Sequence, residues 1–419
     1  MTLRVRKGDI ALQSNTSNRP TAGADLTLIS SQAESRRRWS VGLLSLDIYL
    51  FWFSLYLFVP ILSVYAQSLG ASFSMVGFIV SAYGLVQLIV RIPMGMLSDH
   101  LGRRRPFVTA AFVVVAISVV GLAWSPDPTW LLIFRGLTGL AAASWVTTTV
   151  LYTSYFPKHR SVKAIALATF FQGMSLVMAT AAGGLLAESY GWVSTFYLAV
   201  IPAGLGATLS LFLADDVTLD RSKSSAFTTL RRSRGVKLLV IASILGCLAQ
   251  YANYSTTFSF VPVYAAEIGA SKAALGWLST FVFLPQTLFS LVSARLSERL
   301  SERVLVVLGL AILGLVTLLT PFIQNVPLLI ASRLVYGMGT GISFPVMMGL
   351  SIKQIEREQR ASAMGVFQAV YALGMFAGPA LSGVIADHLG MAGMFYSIGA
   401  LCLIAAAIAQ RFVPGESQT

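Results

Sequence analysis

The sequence predicts an all-α membrane protein: twelve transmembrane helices in two pseudo-symmetric bundles of six. Three observations carry this. The 419 residues are 56% hydrophobic and only 11% charged, whereas soluble domains run at about 45–50% apolar and about 25% charged. The apolar residues are gathered into twelve long runs, and one bilayer crossing takes about 20 apolar residues. The first six runs and the last six also share residues at one fixed offset.

Residues 1–40 are polar, rich in Ser, Thr, Asn and Arg, and end in Arg36-Arg37-Arg38. They hold no apolar core or small-residue cleavage site of a signal peptide, so they are expected to form a disordered cytoplasmic tail. The apolar runs follow at 41–66, 75–98, 107–124, 130–152, 164–187 and 192–213, forming the first bundle (41–213). A polar linker occupies 214–236. The second bundle (237–412) takes the runs 237–264, 274–296, 304–322, 327–350, 361–386 and 393–412, and a short tail (413–419) ends the chain. Helices are required because lipid cannot satisfy open backbone groups, and a barrel would need alternating strands of about 10 residues.

The net charge of +13 would elsewhere point to nucleic acid, but the charges sit between the apolar runs. Twenty-six of the thirty Lys and Arg fall on one side if the N-terminus is inside. Only Lys272 falls on the other, and Arg91, Arg135 and Arg333 lie within runs. The positive-inside rule then puts both termini on the cytoplasmic side, and the short central and external loops are those expected of a multi-pass protein of the cell (plasma or inner) membrane. Cys247 and Cys402 lie in apolar runs and read as small packed hydrophobes, with neither disulfide framework nor metal-ligand spacing.

The repeat is specific. VYAQSLGAS at 64–72 matches VYAAEIGAS at 263–271, so Tyr65 stands 199 residues before Tyr264. At the same offset Gly77 meets Gly276, Gln87 meets Gln286, Asp99 meets Glu298 and Arg104 meets Arg303. Two parallel six-helix repeats are the architecture of transporters that rock around a central site.

The turn after the second run reads GMLSDHLGRRRP, residues 95–106. It resembles the signature loop of the major facilitator superfamily, at the same place between spans two and three, with a weaker copy at 294–303. Physically, Gly95 allows close helix approach, Gly102 permits the turn and Asp99 charges the helix end. The resemblance covers the chain after residue 40 and implies that fold. It further implies that Asp99 and Arg103, with Arg104 beside them, form a conformational latch to span eleven. Arg135, opening the fourth-span RGLTG stretch, corresponds to an arginine associated with proton coupling in the family. The fifth-span antiporter motif is degenerate here: Gly183 and Gly184 survive, but its proline is missing. A better copy, Gly374-x-x-x-Gly378-Pro379, stands in span eleven. The glycine motifs of spans five and eleven also suit ordinary small-residue packing.

Charges inside the membrane carry the sharpest signal, since a central one costs about 2.5–3.5 kcal/mol on insertion scales. Asp47 and Arg91 lie at similar depth on consecutive helices, so a buried Asp47–Arg91 pair is expected. It is either static or a site where Asp47 exchanges its partner for a proton. Arg135 and Arg333 either snorkel outward or face the interior. Aromatics concentrate in span one (Tyr49, Phe51, Trp52, Phe53, Tyr56) and span seven (Tyr251, Tyr254, Phe258, Phe260). The resemblance implies that spans one, four, seven and ten line a cavity. Phe51, Tyr251, Tyr254, Arg333, Phe344, Gln172 and Gln368 are therefore expected substrate contacts, although the glutamines and Asn253 equally suit helix–helix hydrogen bonding.

No phosphate-binding loop, HExxH, CxxC or nucleophile elbow occurs, so neither an ATP-driven pump nor a membrane hydrolase has support. The expected protein is a non-enzymatic, monomeric secondary transporter without cofactor or metal. Its partners are protons, a small-molecule substrate and the lipid bilayer, and nucleic acid is not among them. Proton-coupled efflux of an amphipathic or hydrophobic compound is the leading reading. Import of a metabolite by a symporter or facilitator is the alternative, and a non-transporting sensor or scaffold is the third.

Overall fold

The computed structural model describes residues 22–157, 160–215, 235–356 and 359–415, and within them every regular element is helical. The expected linker lies outside the described residues over 216–234, as do the first 21 residues and the last four. Helix begins at Ala22, inside the segment expected to be an unstructured tail. Its Ala, Leu, Glu, Gln and Arg content favours helix, and it runs on into span one.

Among the described residues, eleven helical stretches are long and apolar enough to cross a membrane. The last, Ser362–Phe412, is twice the length of a span. Gly390 breaks it with φ +71°, ψ 172°, a left-handed conformation that only glycine enters at little cost. It therefore supplies spans eleven and twelve, and the chain has twelve spans. Proline and small residues interrupt others. Span one joins Ala22–Tyr56 to Val59–Ser68, and span four joins Pro128–Ala143 to Trp145–Ser154.

Span seven joins Val236–Asn253 to Val261–Glu267 through a π-helical segment, Tyr254–Phe260. Pro262 has no N–H to give to the carbonyl four residues back. That carbonyl, on Phe258, instead accepts a 2.7 Å bond from the Ser63 hydroxyl of span one. The wide turn is thus held by a contact between the two halves.

The internal repeat is visible in the coordinates. Spans two (Phe73–Leu101) and eight (Lys272–Leu296) are capped alike, by Ser72 on Met75 N–H and Ser271 on Ala274 N–H, each at 3.2 Å. Span two packs against span eleven of the other half, and span five (Ser161–Tyr190) against span eight. At the first seam, a side chain at Gly77 would run into the Pro379 carbonyl and lie 3.4 Å from Gly383. At the second, one at Gly276 would meet the Thr180 carbonyl at 2.7 Å and Gly184. Thr180 and Gly184 stand 199 residues before Pro379 and Gly383, so one contact is made twice.

These seams close one side of the molecule, here termed the far side, opposite the terminal side that carries Trp39 and Val413. Asp387 accepts bonds from the N–H groups of Phe73 (3.1 Å) and Ser74 (3.0 Å) and from the Ser74 hydroxyl, capping the start of span two across the halves. Its repeat counterpart Glu188 accepts from Ala273 N–H at 3.1 Å, at the start of span eight. Toward the terminal side the halves part. Along the face of span two that meets span eleven, Ser81 and Gly84 are buried and Leu88 and Arg91 half-buried. The Asp99 side chain is 67% exposed. On span eleven, Gly365 has nothing within 4 Å. The structure is open to the terminal side and shut on the far side.

Candidate functional site

At the closed end of this opening, spans one, two, four, seven and eight bring together an aromatic and cationic cluster. Tyr83 stacks on Tyr254 with centroids 6.4 Å apart, and Tyr254 lies 4.6 Å from Phe258. Phe258 in turn meets Tyr56 at 6.0 Å and Phe283 at 5.8 Å. The Arg135 guanidinium sits 4.4 Å above the Tyr83 ring, donates to Thr138 Oγ1 at 3.3 Å, and is only 3% exposed. It faces the interior and does not snorkel. A cation over an aromatic face is stabilised by about 2 kcal/mol or more when desolvated, which offsets part of the burial penalty.

One layer nearer the opening lies Arg91. Its Nη2 donates to Gln87 Oε1 at 2.7 Å, and its Nη1 to Gln368 Oε1 at 3.3 Å and Tyr371 Oη at 3.2 Å. Phe344 closes this layer, with its ring 5.7 Å from Tyr371 and 6.1 Å from Phe367. Tyr83, Gln87 and Arg91 follow at four-residue spacing and so share one face of span two.

The expected Asp47–Arg91 pair is not formed. Asp47 faces away from the opening, against Ile48, Phe51, Trp52, Val108, Phe112, Ser144, Trp145 and Thr148 around a void of about 10 Å³. It is 1% exposed, and neither carboxyl oxygen has a hydrogen-bond partner. The two residues share a depth but not a direction: Asp47 faces spans three and four, whereas Arg91 faces span eleven. Equal depth on neighbouring helices leaves the rotation of each about its axis undetermined.

Other expected site residues are redistributed. Phe51 packs edge-on against Trp52 and Phe112, inside the first bundle. Tyr251 lies on the seam between spans seven and eleven, where its Oη accepts from Ser382 at 3.3 Å. Arg333 is fully buried away from the cluster, donating to Thr320 Oγ1 at 3.0 Å and to Ser332. Arg135 and Arg333 therefore differ despite matching places in spans four and ten. Gln172 is half-buried in span five. Gly183 abuts the Leu57 carbonyl, Gly374 the Cys247 carbonyl and Gly378 that of Tyr251, while Pro379 lies at Gly77.

At the signature loop, Asp99 pairs with Arg104 at 2.8 Å, and Arg104 is buried. The backbone N–H groups of Arg104 and Arg105 donate to Asp215. Arg103, expected to act with Asp99 in a latch to span eleven, is exposed. Gly102 takes φ +68° at the end of span two. Gly95 makes no close approach: a side chain there would meet only Val146, at 3.7 Å. Within the second copy (294–303), Glu302 pairs with Lys353 at 2.8 Å and Arg303 donates to the Val413 carbonyl at 2.6 Å. Among the described residues no cluster of potential metal ligands occurs.

Tyr83, Gln87, Phe283 and Tyr371 were not anticipated as site residues. Only the four-residue spacing of Tyr83, Gln87 and Arg91 in an otherwise aliphatic run gave a readable signal for the first two.

Twelve spans in two repeated bundles, open on one side over a polar and aromatic centre, define a multi-pass membrane transporter. The Major Facilitator Superfamily profile matches residues 48–267 and 243–419. The chain belongs to that superfamily. It is 23% identical over 372 residues to an uncharacterized MFS-type transporter of Methanocaldococcus jannaschii, covering 85% of this chain and 95% of that one. It is 25% identical over 344 residues to the multi-drug resistance efflux pump PmrA homolog of Lactococcus lactis, covering 80% and 84%. Among solved structures, a bacterial homolog of the human lysosomal transporter Spinster superposes with a TM-score of 0.75 at 16% identity, covering 90% of this chain and 97% of that one.

Proposed function

We propose that this transporter exports a small amphipathic or hydrophobic organic compound from the cytoplasm in exchange for protons, by alternating access. The terminal side is cytoplasmic in this reading, because it carries the Arg- and Lys-rich turns, and the structure is then the inward-open form. Residues 41–213 and 237–412 rock against each other as a monomer, joined by the linker 214–236.

The observation that carries proton coupling is Asp47. It is an acid deep in a span, buried, with both oxygens unpartnered. A lone ionised carboxylate in such a place is penalised by several kcal/mol, whereas the neutral acid is tolerated. Asp47 packs on Trp145 at the break in span four, and the same span carries Arg135 two and a half turns away. Movement of span four that admits water or a partner to Asp47 would release its proton, linking protonation to the state of the cluster. The resemblance to the PmrA homolog, an efflux pump by name, supports the direction.

The test is substrate accumulation in inside-out vesicles holding the purified protein. Accumulation driven by an acid interior and abolished by a protonophore supports the reading. Movement that ignores the pH gradient excludes proton coupling.

A further inference from the structure

We infer that the substrates are organic anions: amphipathic carboxylates or sulfonates whose negative group is taken by Arg91 at the head of the open side. This deepens the efflux reading by giving the substrate its charge, and rests on it. Two guanidinium groups stand at the centre, Arg135 buried and Arg91 half-buried, and among the described residues no acid faces them. Asp47, the acid deep in a span, looks into spans three and four. Asp99, Asp387, Glu188 and Glu302 lie at helix ends, in contacts of their own.

Arg91 is held only by neutral oxygens, those of Gln87, Gln368 and Tyr371, two of them at 3.2–3.3 Å. Its Nε has no partner, and neither has that of Arg135. Charge-assisted hydrogen bonds to an anion are shorter and about twice as strong as those to neutral oxygens. An entering carboxylate or sulfonate can therefore displace the long Gln368 and Tyr371 contacts and take a fork of N–H groups. The ring system of the same molecule fits the adjoining half-buried aromatic pair Phe344 and Tyr371, whose centroids stand 5.7 Å apart. An organic cation at this place would meet two like charges with no carboxylate to pair.

Gln368 and Tyr371 belong to span eleven, and Arg91 to span two. An anion that takes Arg91 from them removes a contact between the halves on the open side, so binding and rocking share one residue.

The experiment uses the purified full chain in lipid nanodiscs. Indole, naphthalene and biphenyl skeletons, each bearing an acetate, a sulfonate, an ethylamine or a neutral acetamide, are titrated calorimetrically. The expected result is that acetates or sulfonates bind at least tenfold tighter than the matching amines. Arg91→Gln should lower anion affinity ten- to a hundredfold, the span for hydrogen bonds to charged groups, and amide affinity less than threefold. Arg91→Lys, which keeps the charge but loses the fork, should fall between. Thermal unfolding of each variant separates lost binding from lost structure. Amines binding as tightly as the anions, anion binding indifferent to Arg91→Gln, or no anion binding at all overturns the proposal. Amines or amides that nonetheless move with the proton gradient in vesicles would leave the efflux reading standing without it.

Discussion

Asp387 and Glu188 hold the far side shut, and Asp387 makes the more extensive contact. Its carboxylate accepts from two backbone N–H groups and one hydroxyl at the start of span two. Side-chain caps contribute about 0.5–2 kcal/mol, and a negative charge at a helix N-terminus about 0.3–1 kcal/mol. Asp387→Asn keeps one acceptor oxygen but loses the charge, so about 1 kcal/mol of the closed state should go. That is about a fivefold shift of the equilibrium toward far-side opening, and Asp387→Ala, at about 2 kcal/mol, approaches thirtyfold. Glu188→Gln should add to either, because the two caps share no partner.

The assay is the rate at which an impermeant maleimide labels Ser81→Cys from the far side, in a background with Cys247 and Cys402 replaced. Ser81 donates to the Phe376 carbonyl across the seam and becomes accessible only when the seam opens. The pH dependence has a definite sign. Slight burial acts to raise the Asp387 carboxyl, but its bonds from Ser74 and Phe73 outweigh this and hold it below its ordinary value of 3.8. The capped state is therefore favoured above that value and loses its advantage as pH falls through the depressed one. Because only the thiolate reacts, the Ser81→Cys rate is divided at each pH by that of an unfolded control; the normalised rate in the protein with Asp387 intact should be flat from about pH 5 to 8 and rise only below about pH 4. Unchanged labelling in Asp387→Ala, or a normalised rate that rises near neutrality with Asp387 intact, would refute the reasoning.

Asp47→Asn should leave the melting temperature within a few degrees of wild type, because no ion pair is broken, while pH-driven flux disappears and substrate binding persists. Calorimetry and vesicle flux measured together check this, and a collapse of folding would show a hidden partner. Gly184→Ala places a methyl 2.6 Å from Gly276 and 2.9 Å from the Ala273 carbonyl. Overpacking of about 1–3 kcal/mol should open the far side, read as faster Ser81→Cys labelling. Arg104→Ala, which removes the partner of Asp99, should impair transport more than Arg103→Ala, and equal losses would favour the exposed arginine after all. A cysteine placed in 221–234 should resist impermeant reagent outside intact cells, since labelling there would reverse the proposed orientation.

Much of the fold was legible because lipid leaves so few choices. Twelve apolar runs had to be helices, and the offset joining Tyr65 to Tyr264 also joins Gly77 to Gly276 and Glu188 to Asp387, which make equivalent contacts in the structure. Side-chain direction was less legible. Depth can be counted along a helix, which brought Asp47 and Arg91 level. Rotation about the axis depends on neighbours from distant sequence, and it turned them apart. The same limit hid the difference between Arg135, over Tyr83, and Arg333, tied to Thr320. The π-helical turn of span seven depends on Pro262 together with Ser63, a residue 195 positions from the carbonyl it satisfies. No local reading joins those two.

The central claim is that protonation of Asp47 drives export. The most direct test loads proteoliposomes with a pH-sensitive dye and counts protons crossing as a bound substrate is moved, in wild type and in Asp47→Asn of equal thermal stability. The account predicts substrate-dependent proton flux opposite to substrate movement in the wild type, and substrate exchange without proton flux in Asp47→Asn. Equal proton flux in both would contradict it.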